Sequence, residues 1–118
     1  MDGASARPTA RQLFEHATWR SDRSDEVRSG AAEVRPVYER LAASGGGART
    51  RHLLTNLTVT VDPGAVTASS RCYWTVLQAG PDEGIDVVLS GQYIDRFARA
   101  EGRWRFADRL IATDLVGG

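Results

Sequence analysis

The chain contains no lysine: its fifteen basic side chains are all arginine, and fifteen carboxylates balance them. A formal net charge of zero argues against a nucleic-acid binder, which draws its affinity from a clear basic excess. The arginine-only usage, with abundant Ala, Gly and Val, reads as a GC-rich coding bias. Cysteine is nearly absent too. Cys72 stands alone, so no intrachain disulfide forms and no cysteine-based zinc site exists. His16 and His52 are too few for a histidine-rich metal centre. No apolar run approaches the roughly 20 residues of a membrane span, and residues 1–12 lack the apolar stretch of a signal peptide. The expectations are no metal, no membrane partner and a cytoplasmic location. The sequon Asn56-Leu57-Thr58 is then a coincidence of composition. No Gly-rich phosphate loop follows a strand and no serine elbow is present, so no cofactor is expected.

What remains is one domain's worth of chain, 118 residues with an ordinary share of hydrophobic side chains. Residues 1–12 are polar and small and read as a flexible N-terminus, with the domain occupying 13–118. Phe14 to Arg20 reads as a short strand, and Ser21 to Ser29 as a charged loop. Ala31 to Ala43 reads as a helix, because Val34, Val37, Tyr38 and Leu41 fall on one stripe. Pro36 leaves two options, a helix that starts near Arg35 or one that kinks. The run Ser44-Gly45-Gly46-Gly47 ends it.

The rest is β in pattern. Strands are expected at Thr50 to Val61, Ala65 to Leu77, Ile85 to Arg99 and Arg103 to Leu115. Turns fall at Asp62-Pro63-Gly64, Gln78 to Gly84 and Glu101-Gly102. Long strands after one short helix predict an α+β fold: a curved antiparallel sheet wrapped on that helix.

Strand alternation places His52, Leu54 and Asn56 on one face. A His and an Asn two pleats apart suit a small polar group, and imidazole suits proton transfer near neutral pH. The alternative is a His and an Asn satisfied within the sheet or by a partner subunit. In the hairpin around Glu101-Gly102, Ala100 opposite Arg103 puts Phe97 opposite Phe106 and Asp95 opposite Asp108. Two facing carboxylates repel, so salt bridges to nearby arginines are expected. The hairpin aromatics read as core, dimer surface or ligand wall. Cys72 reads as a buried, inert thiol.

The stretch Arg49-Thr50-Arg51-His52-Leu53-Leu54-Thr55-Asn56 resembles the "RTRHxxxN" strand of SnoaL-like domains in the nuclear transport factor 2-like superfamily. The "GxYxDxFxRxxGxWRFxxR" hairpin of such domains is similar to Gly91, Tyr93, Asp95, Phe97, Arg99, Gly102, Trp104, Arg105, Phe106 and Arg109. The resemblance covers roughly residues 14 to 117. It implies a cone, with a curved sheet and helices closing a pocket. Members include polyketide cyclases, scytalone dehydratase, ketosteroid isomerase and epoxide hydrolases. In dehydratase-like members a His on the matching strand is acid or base, which carries over to His52. Its usual partner is an Asp on an N-terminal helix; only a dozen polar residues precede Phe14 where about two helices are usual, so the expectation is a misassigned start, a shortened member or a cone that a partner chain completes.

Two functions are therefore expected. The first is a pocket for a small apolar ligand, polyketide-like or aromatic, with cofactor-free cyclisation, dehydration or isomerisation. There His52 moves the proton, and Asn56, Leu54, Tyr73, Trp74 and Arg109 are candidate ligand contacts. Of Tyr73 and Trp74 only one can face the pocket. The second is a non-catalytic assembly subunit, similar to the small subunits of ring-hydroxylating dioxygenases that share the His–Asn strand. A homodimer is expected in either case, centred on the sheet face opposite the helix, with Trp104 or Phe106 in or under the interface.

Overall fold

Two turns frame the sheet. Glu101 and Gly102 both take positive φ, 54° and 76°, the type I′ geometry that follows the right-handed twist of strands. They join Ile85–Ala100 to Arg103–Val116. At the other turn the Ala65 amide donates to the Asp62 carbonyl over 3.0 Å and Gly64 takes φ 93°. A side chain there would be strained in the backbone conformation that glycine adopts freely. This turn joins Thr50–Val61 to Thr67–Ala79.

The computed structural model describes residues 15–43, 49–82 and 84–117. In chain order the elements are β1 (Thr18–Ser21), β2 (Val27–Ser29), α1 (Ala31–Ala43), β3 (Thr50–Val61), β4 (Thr67–Ala79), β5 (Ile85–Ala100) and β6 (Arg103–Val116). They form one six-stranded, curved and unclosed sheet of order β2-β1-β6-β5-β4-β3. All neighbours are antiparallel except β1 and β6, which run parallel. The expected curved sheet is present, and that one parallel pair makes it mixed. Register shifts interrupt the β3–β4, β4–β5 and β5–β6 ladders. Each such bulge bends its strand and raises the local twist.

The helix spans the expected residues. Gly30 precedes it at φ 78°, and the Glu33 carboxylate, in the first turn where the helix dipole favours an acid, accepts from the Ser29 amide at 2.9 Å. Pro36 lies in the second turn and the helix continues to Ala43, which removes the option of a start near Arg35. Val34 and Val37 are buried. Val34 and Ala17 form a core cluster against which Trp19, Tyr38 and Phe106 pack. That cluster sits between α1 and the β1–β6 half of the sheet, and Ala68, Cys72 and Trp74 extend the buried apolar face along β4. The apolar stripe is the cause, because it needs one sheet face to bury it.

Three expectations change. The first strand begins at Thr18, with Glu15 to Ala17 outside it. The expected charged loop contains β2, whose three residues pair with β1. In the hairpin Phe97 does oppose Phe106, but Ala107 is then bulged out, so Arg96 meets Asp108 and Asp95 meets Arg109. One extra residue replaces a repulsive carboxylate pair with two opposite-charge pairs. The expected flexible segment 1–12 and the glycine stop at 44–47 lie outside the described residues. No helix among those described is long and apolar enough to cross a membrane.

Candidate functional site

Register assigns the faces. Along β4 the buried side chains Ala68, Cys72 and Trp74 alternate with more exposed ones. Ala68 pairs through Phe97 with Phe106, which packs on the helix side. Even-numbered residues of β4 therefore face the side that carries α1, and Tyr73 faces away. Trp74 is the inward member of the pair, 6% exposed, while Tyr73 is exposed on the opposite face.

Gly91, opposite Trp74 on β5, makes room for that indole. A Cβ at 91 would lie 1.9 Å from the Ala112 carbonyl oxygen and 2.6 Å from the Trp74 ring. Trp74 lies beside Tyr93, ring centroids 6.1 Å apart. Over Tyr93 lies the Arg109 guanidinium, 4.0 Å from its centroid and 4.7 Å from that of Phe106. Asp95 is 4% exposed and accepts two hydrogen bonds from Arg109, from Nε at 2.9 Å and from the NH2 nitrogen at 3.0 Å. The bidentate fork places both charges where neither stands alone.

The electrostatics follow from that burial. Desolvation works to lower the Arg109 pKa, but the hydrogen bonds and charge of Asp95, joined by Tyr38 from α1, hold it above its ordinary value. Burial pushes the Tyr93 phenol up, against the pull of Arg109. Burial also pushes the Cys72 thiol up, with Asp95 adding to the effect. A thiol raised in this way is a poor nucleophile, which agrees with an inert packing role.

The candidates from β3 lie elsewhere. His52 pairs with Val76 and Leu54 with Trp74, so both belong to the helix-side face. Yet β3 is the sheet edge, and His52, Leu54 and Asn56 are all exposed. Asn56 sits in the bulge between Thr55 and Thr58 with φ 55°. That is the left-handed position of a glycine-type bulge, which Asn tolerates better than most residues. His52 has no acidic partner among the described residues. The structure therefore brings Trp74, Tyr93, Asp95, Arg109 and Tyr38 together and leaves His52 and Asn56 exposed on the edge strand β3. Asp95 and Tyr38 were not candidates in the sequence, and Tyr93 was one only as a hairpin aromatic that could serve as core, dimer surface or ligand wall. The bulge at Ala107, which turns Arg109 toward Asp95, has no local signature.

Beside this cluster lies an apolar concavity of about 320 Å³. Leu57, Val59, Val61, Phe97 and Trp104 line it, and Ser70 supplies the one hydroxyl. Ser70 pairs with Asp95 across the β4–β5 ladder. Apolar walls with few polar groups at one side form the usual pattern of a small-molecule site. Trp104 and Phe106 both serve the helix side, so neither belongs to the opposite face where an interface was expected.

No functionally curated protein matches the chain. Among solved structures it is similar to a variant of Rv3472 from Mycobacterium tuberculosis, described as function unknown. The two are 28% identical with a TM-score of 0.64, over 88% of this chain and 57% of that one. An NTF2-like protein with a cystatin-like fold from Novosphingobium aromaticivorans is 20% identical, TM-score 0.75, over 88% and 66%. The hexachlorocyclohexane dehydrochlorinase LinA-type3 from Novosphingobium barchaimii is 13% identical, TM-score 0.69, over 88% and 69%. The chain spans less than two thirds of the length of the first two. The last two likenesses are of fold alone. The family model described as a SnoaL-like domain matches residues 1–110, and the chain belongs to that family.

Proposed function

We propose that the protein binds a small, largely apolar molecule, aromatic or polyketide-like, on the helix-side face of its sheet. We further propose cofactor-free proton transfer as the chemistry of that site. The observation that carries the reading is the apolar concavity beside a buried ion pair, with Leu57, Val59 and Phe97 as walls and Ser70 next to Asp95. Apolar walls supply the affinity and a few fixed polar groups orient the ligand. His52 is the proton carrier of this proposal. It stands on the same face as Trp74 and is open to an incoming molecule. A likeness of fold to a dehydrochlorinase, an enzyme of elimination, is compatible with such chemistry. The test is a titration with hydroxynaphthalenes and aromatic ketones followed by tryptophan fluorescence. Leu57→Arg, an exposed position that tolerates charge, should weaken binding at least about tenfold. His52→Ala should leave binding unchanged and lower any turnover by about 10²–10⁴-fold. Equal turnover in the two proteins would remove His52 from the mechanism.

A second reading is favoured by a separate observation. The sheet face opposite the helix exposes Leu53, Tyr73, Val87 and Leu115. Apolar side chains grouped in this way mark interfaces on soluble proteins. Assembly, with a second copy or as a subunit of a larger complex, is the non-catalytic proposal.

A further inference from the structure

Among the described residues two buried indole nitrogens have no hydrogen-bond acceptor, Nε1 of Trp19 and Nε1 of Trp74. Buried N–H groups are nearly always paired, and an orphan calls for an explanation. Trp19 lies within the contact between α1 and the sheet, where no ligand face is proposed. Trp74 stands apart from that cluster. It is the inward side chain of β4, 6% exposed. The strand opposite gives up its side chain at Gly91 to seat it, since a Cβ there would meet the Trp74 ring at 2.6 Å. Packing alone would be served by phenylalanine, which carries no donor to leave unsatisfied.

We infer that the Trp74 Nε1–H is a ligand-binding donor. It would take an acceptor oxygen of the small apolar molecule, which makes carbonyl-bearing aromatic or alicyclic compounds, rather than plain hydrocarbons, the substrate class. This rests on the reading of the helix-side face as an apolar ligand site. Arg109 is a weaker candidate for the same oxygen. Its Nε and NH2 nitrogens are held by Asp95, and Tyr38 reaches it as well. The indole donor is uncommitted and neutral, so it discriminates ligands by an oxygen without demanding an anion. A site with a buried donor rejects analogues that leave it unpaired.

The test uses 1-tetralone and tetralin, bicyclic molecules of nearly the same shape that differ by one oxygen. The three indole N–H signals of ¹⁵N-labelled protein are followed by NMR and assigned with Trp19→Phe and Trp104→Phe. The expected result is a downfield move of the Trp74 signal with 1-tetralone alone. 1-Tetralone should also bind about three- to tenfold more tightly than tetralin, the range one hydrogen bond spans. Trp74→Phe should bring 1-tetralone down to the affinity of tetralin and leave tetralin within twofold. Should Trp74→Phe fail to fold, the wild-type titrations decide by themselves. Equal affinity for the two probes, or a Trp74 signal unmoved at saturation, overturns the inference and leaves the apolar site standing. If neither probe binds the folded protein, both fall together.

Discussion

At the residue scale the clearest separation is between side chains that hold the fold and those left free to meet a ligand. Asn56 belongs to the first kind, at φ 55° in the β3 bulge. Asn56→Gly should keep the stability within about 1 kcal/mol, and Asn56→Val should cost about 1–2 kcal/mol or more, because a β-branched residue resists the left-handed region. Urea unfolding of the two variants reads this directly. If Asn56 instead orients a ligand, Asn56→Gly loses binding while remaining stable, and the two measurements part company. The shared face of His52 and Leu54 was legible in the alternation of the strand. Their exposure was not, since it depends on what lies beyond an edge strand. The choice between Tyr73 and Trp74 is one of register, and a local pattern leaves it open by a single residue. A salt bridge from Asp95 to a nearby arginine was legible in the repulsion that a regular hairpin would impose; that the arginine is Arg109 follows from the bulge at Ala107.

At the element scale the long strands and the helix were legible because each carries its own period and its own turn residues. The helix-side stripe of Val34 and Val37 is buried as its spacing requires, and Glu101-Gly102 sets the Phe97–Phe106 pair. Short β2 and the parallel docking of β1 on β6 were not legible, because both arise from pairings across distant parts of the chain. One side-chain cluster joins the backbone ladder and the Asp22 carboxylate in holding that docking. Asp108 accepts from Arg20, with the NH2 nitrogen at 2.7 Å and Nε at 3.2 Å, and from the Thr18 hydroxyl. Burial works to raise the Asp108 pKa, but the bonds from Arg20 and Thr18 outweigh it and hold the carboxyl below its ordinary range. The sign of the linkage follows from that depression. The stabilisation is fully present above the unfolded value of about 3.9 and is lost as the pH falls through the lower folded value. The expected outcome is a stability that drops below about pH 4, with β1 amides losing exchange protection first. Asp108→Asn should flatten that acid limb in urea midpoints collected from pH 6 downward. An unchanged limb would place the acid sensitivity elsewhere.

At the scale of the whole molecule the balance of covered and uncovered sheet decides the matter. A helix of 13 residues is about 20 Å long. It covers the β1–β6 half of one face and nothing of the other. The opposite face is formed by the outward residues of four long strands, and Leu53, Tyr73, Val87 and Leu115 are exposed on it, Leu115 to 67%. Threonines and serines alternate with them, among them Thr55, Thr75 and Ser90, a mixture in keeping with a reversible protein contact rather than a core. A second copy is the occupant that this surface suits without further assumption. A two-fold axis lets the same patch meet itself, and the formal net charge of zero sets no long-range repulsion between copies. The expected outcome is a homodimer in sedimentation at micromolar concentration, burying at least about 1,000 Å² in total. Tyr73→Arg, at an exposed position whose side chain supports no core, should convert it to a folded monomer of 12.8 kDa. The helix-side concavity lies on the other face, so the same variant should retain ligand binding. A wild-type protein that is monomeric at that concentration would show that the exposed apolar face needs no second copy, and the assembly proposal would then lose its support.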